Sequence, residues 1–159
     1  MRPAAEVRLQ EITAATLDPV LDLTVGPDQD GLVAENAVSI AQAHFQPAAW
    51  FRAVMSGDET AGFVMLHDPT LPGAAPKREW GPHTVVLWRF MIDHRFQGRG
   101  IGRAAIDLVT EHVRGRPGVT RFVTTYIARP GGPAGFYHRL GFTDTGRDLD
   151  GETEALRPL

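Results

Sequence analysis

A short glycine-rich segment follows the most apolar stretch of the chain. Residues 83–93, HTVVLWRFMID, are aromatic and β-branched with few polar interruptions, which is typical of a strand buried on both faces. The segment Gln97-Gly98-Arg99-Gly100-Ile101-Gly102 comes next, and after it apolar residues recur with helical spacing. A buried strand that passes through glycines into a helix predicts an α/β domain with backbone N–H groups exposed at the turn.

Those exposed N–H groups favour an anion. A helix N-terminus attracts negative charge, and glycines let a phosphate approach the backbone without a Cβ in the way. Arg99 and Arg103 add charge-assisted donors. The segment therefore predicts a pyrophosphate site, although a loop that only needs positive φ angles is the alternative. A Walker loop is excluded because Gly-Lys-Ser/Thr is missing, and the mid-chain spacing does not fit a dinucleotide fold.

Patterning along the remaining chain predicts alternating strands and helices. The predicted strands are 7–12, 48–55, 60–67, 83–93 and 121–128, with a closing hairpin over 143–159 around Asp150-Gly151. The predicted helices are 16–23, 29–43, one that follows the glycines and ends near Gly115, and a short one within 129–142. Residues 68–82 contain four prolines and are predicted to form a surface loop. This order predicts a mixed sheet flanked by helices.

Composition excludes several classes of function. A length of 159 residues predicts one domain spanning 1–159, and a net charge of −3 gives no field that favours nucleic acid or an anionic membrane. No apolar run has the length of a membrane span and the N-terminus lacks a signal-peptide core, so a cytoplasmic protein is expected.

The residues that could act as nucleophiles or metal ligands limit the possible reaction mechanisms. With no cysteine, the chain has no disulfide, no zinc-thiolate site and no cysteine nucleophile. Neither Ser39 nor Ser56 lies in a nucleophile elbow, and the histidines lack metal-ligand spacing. An enzyme with this composition is expected to work without a metal and without a covalent Ser or Cys intermediate.

The motifs resemble those of the GNAT superfamily of N-acetyltransferases. QGRGIG after LWRFMID looks like its acetyl-CoA pyrophosphate motif, and FYHRLGF looks like its tyrosine before a Leu-Gly-Phe end. Together with VGPDQDGLVAENAVSIAQAHF and TGRDLDGE, these segments are most similar to bacterial spermidine/diamine N-acetyltransferases. The resemblance implies a mixed, mainly antiparallel α/β sheet of about six or seven strands flanked by about four helices.

The resemblance also implies the residues that bind acetyl-CoA. Main-chain groups of the buried strand would hold the pantetheine arm, and loop amides with two arginines would hold the pyrophosphate. The implied set is Phe90, Met91, Ile92, Gln97, Gly98, Arg99, Gly100, Ile101, Gly102 and Arg103. Tyr137 is the implied acid, although its ring could also simply pack the helix on the sheet. Relatives carry an asparagine a few residues before this tyrosine; here Arg129 or a backbone group would take its place.

Candidates for the base and for acceptor binding are acidic. Asp93 and Glu79 flank the central strand and could relay a proton through water, with His94 as a third option. A polycationic acceptor calls for carboxylates, and the candidates are Asp28, Asp30, Glu35 and Glu152. Acids near a helix N-terminus are also favourable for capping alone. The aromatic residues Trp50, Phe51, Trp80 and Trp88 would line an apolar channel or belong to the core.

The sequence thus predicts transfer of acetyl from acetyl-CoA to a primary amine of a small molecule, with spermidine or a diamine favoured, in a direct ternary complex. An amino-antibiotic such as an aminoglycoside, a protein N-terminus, and a non-catalytic CoA-binding regulatory module are the alternatives. Since relatives are often dimers, a homodimer that uses the closing hairpin as an edge is a further expectation.

Overall fold

The computed structural model describes residues 5–26 and 35–159. Its strands are β1 Val7–Gln10, β2 Ala49–Ser56, β3 Glu59–His67, β4 Thr84–Ile92, β5 Arg121–Tyr126, β6 Thr143–Leu149 and β7 Glu152–Arg157. Its helices are α1 Leu17–Leu21, α2 Asn36–His44, α3 Ile101–Arg114 and α4 Ala134–Arg139, and a 3-10 turn covers His94–Phe96. Every predicted strand and helix is present in the described part, and the ends lie within a few residues of those predicted except for the start of the helix predicted over 29–43.

The seven strands form one sheet in the order β1-β2-β3-β4-β5-β7-β6. All neighbouring strands are antiparallel except β4 and β5, which are parallel. Parallel neighbours need a crossover, and α3 supplies it between these two strands. The observed sheet confirms the predicted mixed α/β fold with a mainly antiparallel sheet.

Helices cover both faces of the sheet. One core cluster joins α3 and α4 to the sheet through Ile106, Val109 and Leu140, which pack with Phe90 and Phe122. The other lies under α1, where Val20 and Leu23 pack with Phe63, Met65 and Met91. Strand β4 contributes residues to both clusters, among them Phe90 and Ile92 to the first and Met91 to the second, and this explains why its sequence is largely apolar.

The predicted hairpin at the end of the chain is confirmed. Asp150 has φ 52° and Gly151 φ 87°, the pair of positive φ angles that a tight turn between antiparallel strands requires. Helix α2 starts at Asn36 in the described part, and the first residues of the predicted helix 29–43 lie outside it. In the described residues we find no helix with the length and apolar character of a membrane span.

Candidate active site

The central cleft opens where β4 and β5 separate. Their ladder runs from Thr84 and Arg121 to Leu87 and Thr124, and β4 then continues to Ile92 without a partner on β5. The space between the diverging strands belongs to a cavity of about 460 Å³. Its lining includes Lys77, Trp80, Trp88, Arg89, Phe90, Thr125, Tyr126, Arg129, Tyr137 and Glu152.

A β-bulge in β4 lies at this opening. Met65 of β3 pairs with Arg89, and the next residue, Leu66, pairs with Leu87, so Trp88 is an extra residue in the β4 ladder. A bulge interrupts the regular alternation of side chains and bends the strand. Here it occurs one residue after the β4–β5 ladder ends, which places the irregular backbone of β4 at the cleft.

Tyr137 of α4 lines the cleft and is half-buried. Its ring lies 5.9 Å from that of Tyr126 in a stacked arrangement and 6.0 Å from Phe142 edge-on. Burial raises the pKa of Tyr137 and Glu152 adds to the rise, while a hydrogen bond with Thr124 and the charge of Arg89 oppose it. The phenol is therefore protonated at neutral pH, as a proton donor must be.

Glu152 and Arg89 place opposite charges in the same cleft. The Thr125 hydroxyl donates to Glu152 Oε2 at 2.8 Å, which fixes that carboxylate at the start of β7. Burial lowers the pKa of Arg89, and the neighbouring Tyr137 and Glu152 raise it. The cleft thus holds a phenol, a carboxylate and a guanidinium close enough to affect one another.

The glycine-rich loop has the conformation of an anion cradle. Gly98 and Gly100 have φ 75° and 77°, which L side chains rarely adopt, and Gly100 is the N-cap of the 14-residue helix α3. The Gln97 amide donates to the Ile92 carbonyl at 3.0 Å and ties the loop to the end of β4. The first-turn N–H groups of α3 have no intrahelical acceptor, so a pyrophosphate fits the residues present.

The two loop arginines differ in their contacts. Arg103 donates from Nη1 to the Arg139 carbonyl at 2.9 Å and thereby joins α3 to α4. Arg99 lies with its guanidinium carbon 5.5 Å from the Phe96 ring centroid and lines a second cavity, of about 760 Å³, beside Arg114 and Arg157. Both arginines are exposed, and Arg99 faces an open surface.

The structure places Asp93 away from the cleft lining. Its buried carboxylate accepts from the Thr24 N–H at 2.9 Å, from the Arg95 N–H at 2.9 Å and from Arg95 Nε at 2.8 Å. Burial raises the pKa of Asp93, but these hydrogen bonds outweigh that effect and hold the pKa below its usual value. Because both of its oxygens already accept hydrogen bonds, the Asp93 carboxylate is suited to capping the 3-10 turn rather than to accepting a proton.

The other acidic candidates lie in different places. Glu79 is exposed and lines a cavity of about 470 Å³ that shares Lys77, Trp80 and Glu152 with the central cleft. Glu35 is exposed at the N-cap of α2, without a side-chain capping bond. Asp28 and Asp30 lie outside the described residues.

The aromatic candidates divide into two pairs. Trp80 and Trp88 line the cleft. Trp50 instead stacks on His112 with 4.2 Å between ring centroids, and the Phe51 ring lies 6.3 Å from Phe63. Trp50 and Phe51 therefore pack against other aromatic rings, and of these four candidates Trp80 and Trp88 are the ones that can contact a ligand in the cleft.

Two polar groups beside the cleft were not predicted from the sequence. Buried Glu154 accepts from Trp80 Nε1 at 2.5 Å, Thr145 Oγ1 at 3.0 Å, Arg121 Nη2 at 3.1 Å and Arg147 Nη1 at 3.3 Å. Asp144 accepts from the Tyr126 hydroxyl at 2.8 Å and lies 3.0 Å from His138 Nε2. Strand alternation could have placed Glu154 inward, two residues after Glu152, but no local signal identified its partners.

The family profile described as Acetyltransferase (GNAT) family matches residues 20–142. The chain belongs to the GNAT family of acetyltransferases. This assignment confirms the predicted superfamily and the predicted enzyme class, an acetyl-CoA-dependent N-acetyltransferase. The narrower similarity to spermidine/diamine acetyltransferases is not part of that match. Comparison with curated proteins gives no match.

Solved GNAT structures share this fold at low sequence identity. Aminoglycoside acetyltransferase AAC(6')-Ib, in complex with coenzyme A and kanamycin, superposes with a TM-score of 0.72 at 17% identity over 96% of this chain and 95% of that one. A GNAT acetyltransferase from Elizabethkingia anophelis with acetyl-CoA bound gives 0.66 at 17% identity over 96% and 98%. The ribosomal-protein-S18-alanine N-acetyltransferase of Escherichia coli gives 0.62 at 14% identity over 96% and 94%. At these identities the likeness shows the fold alone.

Proposed function

We propose that this GNAT enzyme transfers the acetyl group of acetyl-CoA directly to a primary amine of a small molecule in the cleft between β4 and β5. The observation that carries the proposal is Tyr137, a protonated phenol in the same cavity as a carboxylate and beside the bulge of β4. The glycine loop at the end of β4 would hold the pyrophosphate, and Phe90, Met91 and Ile92 would offer main-chain groups to the pantetheine arm.

The transfer needs one bond made and one broken. The amine nitrogen attacks the thioester carbonyl carbon, the C–N bond forms, and collapse of the tetrahedral intermediate breaks the C–S bond. Tyr137 gives its proton to the leaving thiolate, the attacking nitrogen loses one proton to solvent as the amide forms, and Tyr137 regains a proton from solvent. A thiol is normally more acidic than a phenol, by about 1.5 pKa units or about 2 kcal/mol, so this proton transfer is slightly uphill and is drawn forward by the breakdown of the tetrahedral intermediate.

The acceptor must also lose a proton before it attacks. We assign the ammonium to Glu152, which lies in the cleft with Tyr137. The released proton leaves through the cavity that Glu152 shares with exposed Glu79, so Glu79 fits the relay role better than Asp93 does. Tyr137 then acts from α4, Glu152 from the β6–β7 hairpin and Glu79 from the loop before β4.

The polyamine acceptor remains a prediction. Glu152 supports it, Asp28 and Asp30 lie outside the described residues, and Glu35 does not line the central cavity. Among the described residues that line this cavity, Lys77, Arg89 and Arg129 are cations and only Glu152 is an acid. That balance favours a small amine with one ammonium group over a polycation.

An amine panel tests the proposal. Thiol release from acetyl-CoA is followed with spermidine, putrescine, kanamycin, simple amino acids and a short peptide, and each product is identified by its mass. We expect a mass gain of one acetyl group on a small primary amine. Binding of acetyl-CoA by calorimetry without acetylation of any amine would contradict the proposal and favour a CoA-binding regulatory module.

A further inference from the structure

Two cations meet one tryptophan ring inside the cleft. The Lys77 ammonium lies 5.3 Å from the ring centroid of Trp88 and 5.8 Å from that of Trp80. The guanidinium carbon of Arg89 lies 5.5 Å from the Trp88 centroid. All four residues line the central cavity. Aromatic faces hold cations in place without neutralising them, so both positive charges remain available to a ligand.

Arg89 retains an unused donor. Its Nη1 donates to the Trp88 carbonyl at 3.2 Å and its Nη2 to Gln42 Oε1 at 3.4 Å, both neutral acceptors. Its Nε is buried and has no hydrogen-bond partner among the described residues. Nη1 and Nη2 each carry a second N–H, and Arg89 lines the cavity, so these donors favour an anion there.

Lys77 and Arg89 form no ion pair among the described residues, although the charge of Glu152 acts on Arg89 from within the cleft. Arg121 and Arg147, by contrast, both pair with buried Glu154 nearby. The glycine loop, where the pyrophosphate fits, does not contribute to the lining of this cavity. The positive charge of the cleft is therefore additional to the charge that the cofactor phosphates require.

We infer that the acceptor carries an anionic group, a carboxylate or a phosphate, beside its primary amine, and that Lys77 and Arg89 hold this group while Glu152 holds the ammonium. The inference rests on the proposed function, and it makes the acceptor a small zwitterion rather than a polyamine. The bonds made and broken are those of the acetyl transfer above, since the anionic group takes no part in the reaction.

Pairs of acceptors that differ only in the anionic group test the inference. The pairs are β-alanine with β-alaninamide, γ-aminobutyrate with butylamine, and phosphoethanolamine with ethanolamine; spermidine is run alongside. We expect the anionic member of at least one pair to have a kcat/KM higher by about tenfold or more. Whether this difference occurs in a carboxylate pair or in the phosphate pair identifies the anionic group that the cleft prefers. Equal or higher kcat/KM in all three pairs for the members that lack the anionic group, or for spermidine, would overturn the inference and leave the proposed function standing.

Variants of Lys77 provide a second test of the inference. Lys77→Met keeps an apolar side chain against the tryptophans and should narrow the preference for the anionic member several-fold, whereas Lys77→Arg should retain it. The KM for acetyl-CoA should not change in either variant. A rise in that KM, or an equal loss for both members of a pair, would assign Lys77 to the cofactor or to folding and overturn the inference. No acetylation of any acceptor by the wild type would instead contradict the proposed function itself.

Discussion

Replacement of Glu154 tests the link between the tail hairpin and the cleft wall. Glu154 is fully buried, and it joins β7 to Trp80 in the loop before β4, to Arg121 of β5 and to Arg147 of β6. In Glu154→Ala, all these donors lose their acceptor at once. Removal of one partner from a fully buried charge pair costs about 3–5 kcal/mol. Because the two arginines are 37% and 41% exposed, water can solvate them, and we expect the lower end, about 3 kcal/mol.

The assay is urea unfolding followed by circular dichroism, with thermal unfolding in parallel. A loss of about 3 kcal/mol in the free energy of unfolding corresponds to a fall in Tm of about 6–12 °C for a chain of this length. Glu154→Gln keeps the shape and an acceptor for Trp80 but loses the charge, so we expect about half of that loss. The matched control is Glu111→Gln, which removes an exposed helical ion pair with Arg114 and should change the free energy of unfolding by less than about 0.5 kcal/mol.

The direction in which pH changes the stability of the same variants can also be predicted. Burial raises the pKa of Glu154, but the hydrogen bonds from Trp80, Thr145 and Arg121 outweigh it and hold the pKa below its usual value of 4.5. A group with a lowered pKa stabilises the fold above its unfolded-state pKa, and that stabilisation is lost as the pH falls through the folded-state pKa. The wild type should therefore lose more stability than Glu154→Gln below about pH 4.5. A loss below about 0.5 kcal/mol for Glu154→Ala at neutral pH would refute the reasoning.

Three further predictions concern the glycine loop, the tyrosines and Asp93. Gly100→Ala forces a side chain into φ 77°, so we expect a loss of about 1–2 kcal/mol in urea unfolding and a higher KM for acetyl-CoA. Its control, Gly102→Ala, should be near neutral for unfolding because its Cβ would lie 3.5 Å from Ile92, an ordinary contact; equal losses would contradict this. Burial and Asp144 raise the pKa of Tyr126 to about 12 and burial raises that of Tyr137, so at pH 10 the folded protein should show less tyrosinate absorbance than the unfolded chain; equal absorbance would be contrary evidence. Asp93→Asn should lower the Tm, because a charged cap over Thr24 and Arg95 is lost, while kcat at the optimum changes little; a kcat loss of about a hundredfold or more would instead make Asp93 the base.

Features set by local sequence were predictable. The apolar run of β4, the glycines before α3 and the Asp150-Gly151 turn each determine their own backbone geometry, and the structure confirms all three elements. These same local signals carry the family resemblance. The fold class and the position of the glycine loop could therefore be predicted before any contact was known.

Contacts between distant segments were not predictable. Trp80 and Glu154 are 74 residues apart, and Thr24 and Asp93 are 69 apart, so nothing in the spacing indicates that they meet. For that reason Asp93 was a reasonable candidate base from its position after β4, although its oxygens are occupied by a capping arrangement. The charge of the cleft was missed for the same reason, since Lys77, Arg89 and Arg129 come together only in the folded chain.

Steady-state kinetics of Tyr137→Phe, with Tyr126→Phe as the matched control, tests the central claim most directly. Both rings line the cleft and stack on each other, but only Tyr137 is assigned the proton transfer. We expect Tyr137→Phe to lower kcat by about 10²–10⁴ with unchanged acetyl-CoA binding by calorimetry, while Tyr126→Phe loses less than about tenfold in kcat. A Tyr137→Phe enzyme that binds acetyl-CoA and retains wild-type kcat would contradict the assignment of Tyr137 as the acid.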